Sequence, residues 1–247
     1  MNFTFGIITV EGNIQSVINS IENQNIENFE IIVVGGPNHY NKTYIKHIEF
    51  DEKIKSMWIS KKKNLITENS NFELIVYMHD YIKLDNNWYN GFNEFGYNWD
   101  ICMTKILNFD GTRYRDWILW KDDAKNIYDH NDRLLLPYDI THLSKMMYIS
   151  GAYWVAKKHI MQKFKLNEHL SWNQGEDVEW SIRVRKDYNF SMNTNSSVSL
   201  LKYKGGVSNL VSESDLCILK NTHDYDRNDE TYHKLLYNHN LINWMTK

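Results

Sequence analysis

"LIVYMHDYIKLDNNW", residues 74–88, is the stretch that decides how this chain folds. Leu74 to Met78 form an unbroken apolar run, the pattern of a strand buried on both faces; a half-exposed strand would alternate. The run stops at His79-Asp80-Tyr81, and an amphipathic segment anchored by Leu84 and Trp88 follows. In an open α/β sheet, ligands occupy the crevice beyond the carboxyl ends of the strands. Polar side chains at a strand end are therefore candidates for ligand contact. A strand-end Asp such as Asp80 can hold Mg²⁺ or Mn²⁺ against a diphosphate, because hard cations take oxygen ligands. The same tripeptide also reads as a turn with satisfied side chains.

The flanking sequence supplies the rest of such a sheet. "FGIITV" (5–10) is an apolar run that ends in Glu11-Gly12-Asn13, a turn and helix cap. In "NIQSVINSI", Ile14, Val17, Ile18 and Ile21 recur at helical spacing on one face. "EIIVV" (30–34) stops at Gly35-Gly36-Pro37-Asn38, a loop signal. "KSMWIS" (55–60) reads as a further strand, "KKKNLITENS" as a helix and "DICMTKIL" (100–107) as another strand. This alternation predicts an α/β fold with a mostly parallel, Rossmann-like sheet flanked by helices. Residues 108–145 are polar, aromatic and irregular, the composition of a functional excursion. Order returns in 146–164 as strand, small-residue turn (Ser150-Gly151-Ala152), strand and helix. It continues in 173–190, where Gly175 closes a loop and Glu176-Asp177 open a helix, and in the strand "SVSLLKY" (197–203). No repeat or linker interrupts the chain. One domain is expected, with a donor half over 1–107 and an acceptor half with its tail over 108–247.

Composition narrows the function. The 247 residues carry a formal net charge of −3, which gives no electrostatic case for a nucleic-acid partner. Nine Trp and sixteen Tyr exceed what a core needs and leave rings for a sugar-binding surface. No apolar run approaches the ~18 residues of a membrane span, and no leader opens the chain, so a soluble, cytoplasmic protein is expected. Cys102 and Cys217 read as buried free thiols of a reducing compartment, with a disulfide as the alternative. Heavy use of Asn, Ile, Lys and Tyr reflects an AT-rich genome, bacterial or viral.

Several constellations could carry chemistry. Glu176 and Asp177 sit at a helix N-terminus, whose free N–H groups favour the ionised form, and a carboxylate held there can take a proton from an alcohol. Acids in a first helical turn are equally ordinary capping residues. His79-Asp80 is the second. Gly35-Gly36, where missing side chains let a ligand approach the backbone, is the third. The run Lys61-Lys62-Lys63 could meet phosphate, though a charge run is commonly a solvated helix face. His223, in "NTHDYD", is the last, as a late metal or phosphate contact if the tail folds over the site.

The order of these pieces resembles the GT-A fold glycosyltransferases, in particular the inverting glycosyltransferase family 2, over residues 3 to 205. "FGIITVEGN" resembles the first strand and nucleotide-cradling loop, and "NFEIIVVGGPN" the second. "LIVYMHDYIKLDNNW" is similar to the stretch bearing the DxD metal motif. "ISGAYWVAKK" and "GEDVEWSIRV" resemble the acceptor turn and the helix of the catalytic base. The resemblance implies a nucleotide-sugar donor, UDP-linked in many members, and a carbohydrate or other hydroxyl acceptor. Asp177 would be the general base and Glu176 its companion. Thr9, Val10, Glu11, Gly35, Gly36, Lys63, Asn64, His79, Asp80 and Tyr81 would face the donor. Gly151 and Ala152 would face the acceptor; from their chemistry and position, not from the resemblance, Trp172 and Trp117 are also acceptor candidates, with Trp120 and Arg113 of the irregular segment.

Two departures matter. With Leu84 and Trp88 fixing the register, Tyr81 stands where the family's metal-binding Asp belongs, and a neutral phenol is a poor ligand for Mg²⁺ or Mn²⁺. Gly35-Gly36 replaces acids that often contact uridine. Either Asp80 and His223 hold a metal with the donor's diphosphate, or no metal is needed and Lys, Arg, His or the Tyr81 hydroxyl offsets the leaving charge. A binding module that keeps the fold without turnover is the alternative function. The related nucleotidyltransferases need a Gly-rich, basic loop after the first strand, and Glu11-Gly12-Asn13 is neither.

Overall fold

The computed structural model describes residues 1–120, 133–140, 147–172, 174–204 and 209–210. Along the chain run β1 (Phe3–Ile8), α1 (Gln15–Glu22), β2 (Phe29–Val34), β3 (Ile45–Ile48), α2 (Ile59–Asn69) and β4 (Leu74–His79). There follow β5 (Ile82–Leu84), α3 (Trp88–Phe95), β6 (Ile101–Leu107), β7 (Ile118–Trp120), β8 (Arg133–Leu135) and β9 (Met147–Tyr148). The last are β10 (Tyr153–Lys157), α4 (Lys158–Lys163), α5 (Glu176–Val184), β11 (Phe190–Leu200) and β12 (Asn209–Leu210).

Eight strands form one sheet in the order β3-β2-β1-β4-β10-β6-β11-β5. Its first four strands are parallel, in register from Phe3 opposite Phe29 and Leu74 to Ile8 opposite Val34 and His79. β10 enters antiparallel between β4 and β6, and β5 closes the far edge antiparallel to β11. The four strands of residues 3–79 are therefore parallel, and the other four, two of which also lie within residues 1–107, are mixed. Both faces of β1 and β4 are buried, which is why their sequences are continuous apolar runs. Chain order runs from β1 outward to β3, then returns to β4 on the other side of β1. A switch point thus lies at the carboxyl ends of β1 and β4, where a crevice opens in sheets of this kind.

Two expectations fail locally. Residues 55–60 are not a strand: Met57 takes a left-handed conformation (φ 52°), and the helix begins at Ile59. The edge strand is instead β3, too short and too polar for its pattern to stand out. The cap before α1 is Ile14, not Asn13, and no side chain caps it. The apolar face read from Ile14, Val17, Ile18 and Ile21 is buried as expected. Trp88 is fully buried against Phe3, Phe5 and Phe92, and its indole N–H donates to the Tyr153 hydroxyl at 2.7 Å. That contact seats the segment after His79-Asp80-Tyr81.

A second sheet, β12-β8-β7-β9, packs beneath α5. The helix is buried on two faces: Trp180 and Val184 join the main core, while Val178 and Ile182 cluster with Ile118, Leu135 and Tyr148. Burial on both sides fixes the orientation of its N-terminus. Cys102 is a buried free thiol, and Cys217 lies outside the described residues.

Candidate active site

Thr9 and Asp80 follow directly on the paired ends of β1 and β4, so the sheet register sets them side by side. The Thr9 hydroxyl donates to Asp80 Oδ2 at 2.9 Å and accepts the Gly12 N–H at 3.0 Å. One side chain thereby ties the first loop to the strand-end carboxylate. The Gly35 N–H donates to Ile48, and Gly35 itself takes φ 87°; a Cβ there would meet the Thr9 carbonyl at 2.4 Å. Only glycine fits so close a backbone approach. His47 Nε2 lies 3.2 and 3.0 Å from the carbonyls of Gly35 and Gly36 and holds that turn. Beside it, Glu11, Gly12, Asn13, Ile14, Gln15, His39 and Tyr40 line a cleft of about 340 Å³. Val10 is exposed at the same rim.

The lysine run is not a solvated face. Lys62 and Lys63 are buried, and only Lys61 reaches solvent, paired with Glu168. Lys62 Nζ donates to the Thr9 carbonyl at 2.7 Å and pairs with Glu52. Lys63 Nζ donates to the Gly151 carbonyl at 2.7 Å, lies 4.0 Å from Glu176 Oε1 and sits 4.4 Å over the Trp154 ring. Burial lowers the Lys63 pKa. A buried cation is tolerated here because a carbonyl, a carboxylate and an aromatic face surround it. The helix thus braces the first loop with one lysine and the 150–152 turn with the next. Asn64 faces elsewhere: its amide bonds Leu166 and Glu168.

The turn before β10 brings the opposite wall of the crevice in. His79 N–H donates to the Ala152 carbonyl at 3.1 Å, so Ser150-Gly151-Ala152 lies against the end of β4. Gly175, left-handed at φ 70°, starts α5 and turns its first residues toward that loop. Asp177 Oδ2 accepts the Gly151 N–H at 2.9 Å, and Oδ1 accepts the Val178 N–H at 2.9 Å. Glu176 is buried, Asp177 half-buried. Burial and the neighbouring Asp177 charge raise the Glu176 carboxyl, and Lys63 only partly opposes them. The two acids are therefore unlike in environment, one desolvated and one open to the crevice.

Around the strand end cations and carboxylates mix: Lys63, Lys202 and Lys204 act on His79, and Asp80 and Glu176 on Tyr81. Burial, helped by Lys63 and Lys204, holds His79 neutral, well below the usual histidine range. Burial, with the nearby Tyr114 and Asp80, pushes the Tyr81 phenol well above its usual value. The Tyr81 ring lies 5.2 Å from His79, with Lys202 Nζ 4.7 Å and Lys204 Nζ 4.3 Å from its centroid. Among the described residues no group of three or more His, Cys, Asp or Glu could hold a metal ion, and His223 lies outside them.

Other named residues lie apart. Trp172 is exposed, whereas Trp117 is fully buried with its indole N–H donated to Ile140 at 2.9 Å, so it offers no face to a ligand. Arg113 is committed to Asp116, which also accepts the Tyr138 hydroxyl and the Trp117 N–H. Of Trp120 only its place in β7 is described. Sequence reasoning missed Lys202 and Lys204, which follow β11 directly where the chain bends and carry no periodic signal of their own.

A mostly parallel sheet with a switch-point crevice, an antiparallel β10 and a carboxylate helix facing it is the GT-A glycosyltransferase fold, and the chain has that fold. Among solved structures it is similar to S. aureus TarS residues 1–349 (13% identity, TM-score 0.50, 96% of this chain and 71% of that one). It is likewise similar to the same TarS fragment with UDP-GlcNAc (13%, 0.53, 92% and 66%). A third is GalNAc-T7 with UDP, GalNAc and Mn²⁺ (10%, 0.62, 94% and 50%). The chain thus spans half of GalNAc-T7 and 39% of a longer TarS structure. At these identities the likeness is one of fold. No protein-family model matches the chain, and no curated protein matches it in sequence. Among the described residues no helix is long and apolar enough to cross a membrane.

Proposed function

We propose that this chain is an inverting glycosyltransferase, one GT-A domain that moves a sugar from a UDP-linked donor to a hydroxyl acceptor, with Asp177 as general base. The observation that carries the reading is the bond from Gly151 N–H to Asp177 Oδ2 at 2.9 Å. It aims a half-buried carboxylate at the crevice beside His79-Asp80-Tyr81, in the fold of TarS, which crystallises with UDP-GlcNAc. Each carboxylate oxygen keeps a lone pair for a further donor.

In this reading the nucleotide lies along the first loop and the Gly35-Gly36 turn. The acceptor hydroxyl donates to Asp177 and attacks the sugar C1 from the face opposite the diphosphate. The new C1–O bond forms as the C1–O bond to phosphate breaks. The electron pair leaves with the nucleoside diphosphate, the proton passes to Asp177, and the anomeric centre inverts. Glu176, tied to Lys63, orients acceptor hydroxyls and keeps the 150–152 turn in place. The site belongs to a cytoplasmic protein on this account.

Tyr81 in the metal-ligand position favours one other reading, a module that binds nucleotide sugars without turning them over. Thermal-shift screening against nucleotide sugars, paired with detection of released nucleoside diphosphate, separates the two. The transferase reading expects stabilisation by UDP-sugars together with slow donor hydrolysis. Binding with no release over hours would favour the module, and no binding would refute both.

A further inference from the structure

The residues at the end of β4 do not suit a divalent cation. Asp80 is the single carboxylate of the tripeptide, and its Oδ2 already accepts the Thr9 hydroxyl at 2.9 Å. In the register fixed by Leu84 and Trp88, His79 and Tyr81 take the two acid positions of a DxD motif and neither is an acid; Ile82 after them is buried in the core. The Tyr81 carbonyl accepts the Leu201 N–H at 2.8 Å, so the segment leaving β11 is fastened across it. That fastening delivers two ammonium groups. Lys202 and Lys204 stand with Nζ 4.7 and 4.3 Å from the ring centroid, and Arg115 adds a third cation near both Tyr81 and Lys204. The Lys204 backbone N–H is anchored to Asn108 Oδ1 at 3.1 Å, which fixes where its side chain starts. A divalent ion here would meet these positive charges with only the Asp80 and Glu176 carboxylates nearby to hold it, whereas a diphosphate resting on the lysine side, away from Asp80, would be drawn to them.

We propose that Lys202 and Lys204, seated on Tyr81 and supported by Arg115, form a cationic cradle that binds the diphosphate of the donor in place of a metal ion. Tyr81 has a structural logic in this arrangement. Its ring attracts both ammonium groups and so keeps two cations at the strand end. Its neutral hydroxyl remains a donor for a phosphate oxygen. When the C1–O bond breaks, the charge that collects on the leaving diphosphate lies against fixed cations, the stabilisation a metal would otherwise give. Asp80, bound to Thr9, then positions the first loop and is not a metal ligand. Lys63 is too committed to Gly151 and Glu176 to serve the phosphates. The inference rests on the donor reading above and specifies how its phosphates are held.

Isothermal titration of UDP, GDP, CDP and inorganic pyrophosphate in EDTA tests it, using wild type, Lys202→Ala/Lys204→Ala and Lys204→Arg. At least one nucleoside diphosphate should bind wild type in EDTA, with added Mn²⁺ changing the affinity by less than about twofold. Each lysine makes charge-assisted contacts, so the double variant should bind about 10- to 100-fold more weakly, and Lys204→Arg should stay near wild type. Lys202 is exposed, so Lys202→Ala alone supplies a folded variant if the double change unfolds, and it should still weaken binding and flatten its salt dependence. Equal binding by wild type and the lysine variants would overturn the cradle and leave the donor reading standing. Binding that appears only with Mn²⁺ would do the same. Failure of every diphosphate to bind, with or without Mn²⁺, would overturn both.

Discussion

Gly151→Ala is the sharpest perturbation of the crevice, because a single methyl group reaches both acids. A Cβ on Gly151 would lie 2.8 Å from Asp177 Oδ2 and 3.3 Å from both Asp177 Cγ and Glu176 Oε1. Ordinary contact would require the Asp177 oxygen to retreat by about 0.5 Å, which stretches the bond from the Gly151 N–H beyond good geometry. A hydrogen bond to a charged group contributes about 1.5–3 kcal/mol. Gly151 is not left-handed, so alanine adds no backbone strain and gains about 0.4–1 kcal/mol by restricting the unfolded chain. The net cost is about 1–2 kcal/mol, a fall of about 2–8 °C in Tm for a chain of this length. Displacing a general base by this amount should lower turnover by about 10- to 100-fold. In the proposed arrangement the donor lies along the first loop and not against Gly151, so KM for it should change little. Release of nucleoside diphosphate from a nucleotide sugar gives kcat and KM, and circular dichroism gives Tm. Wild-type turnover in a folded Gly151→Ala protein would refute the idea that this turn positions the base.

Two further changes probe neighbouring features. Burial and the Asp177 charge push the Glu176 carboxyl up to about 7 from 4.5. A raised folded pKa means that its contribution is complete below the unfolded value and is lost as pH rises through the folded one. Glu176→Gln, neutral throughout, should therefore gain on wild type between about pH 5 and pH 8 by about 1–3 kcal/mol. Melts at the two pH values measure this, and a gap that does not widen would show that Glu176 titrates normally. Thr9→Val keeps the shape of the side chain but removes the bonds to Asp80 and to the Gly12 N–H. It should cost about 1–3 kcal/mol and weaken nucleoside diphosphate binding by loosening the first loop. An unchanged Tm would mean that these bonds do not hold the loop.

The sheet was readable because buried parallel strands leave continuous apolar runs, as in Phe5–Ile8, Ile31–Val34 and Leu74–Met78. The α5 pair was readable because a left-handed glycine and a first turn of acids mark a helix start. What escaped depends on partners distant in sequence. Lys62 and Lys63 read as solvent-facing, yet each finds a carbonyl, Thr9 or Gly151, that only the folded sheet brings within reach. Trp117 reads as a stacking surface and is core, because burial of an aromatic at an irregular segment has no periodicity to announce it. Residues 55–60 read as a strand because Met57-Trp58-Ile59 is apolar, but Met57 turns left-handed and the chain enters α2. Lys202 and Lys204 gain meaning only where Leu201 is pinned to Tyr81, 120 positions earlier in the chain.

The central claim is that the Asp177 carboxylate takes the acceptor's proton, and Asp177→Asn tests it most directly. Asparagine keeps the size of the side chain and one oxygen, enough for either the Gly151 or the Val178 N–H but not both, and it takes no proton. Transfer from a nucleotide sugar should be compared with wild type at saturating donor, alongside nucleoside diphosphate affinity. The account predicts that affinity stays within about twofold while turnover falls by about 10²–10⁴. An Asp177→Asn protein that binds the nucleotide and transfers sugar near the wild-type rate would contradict it.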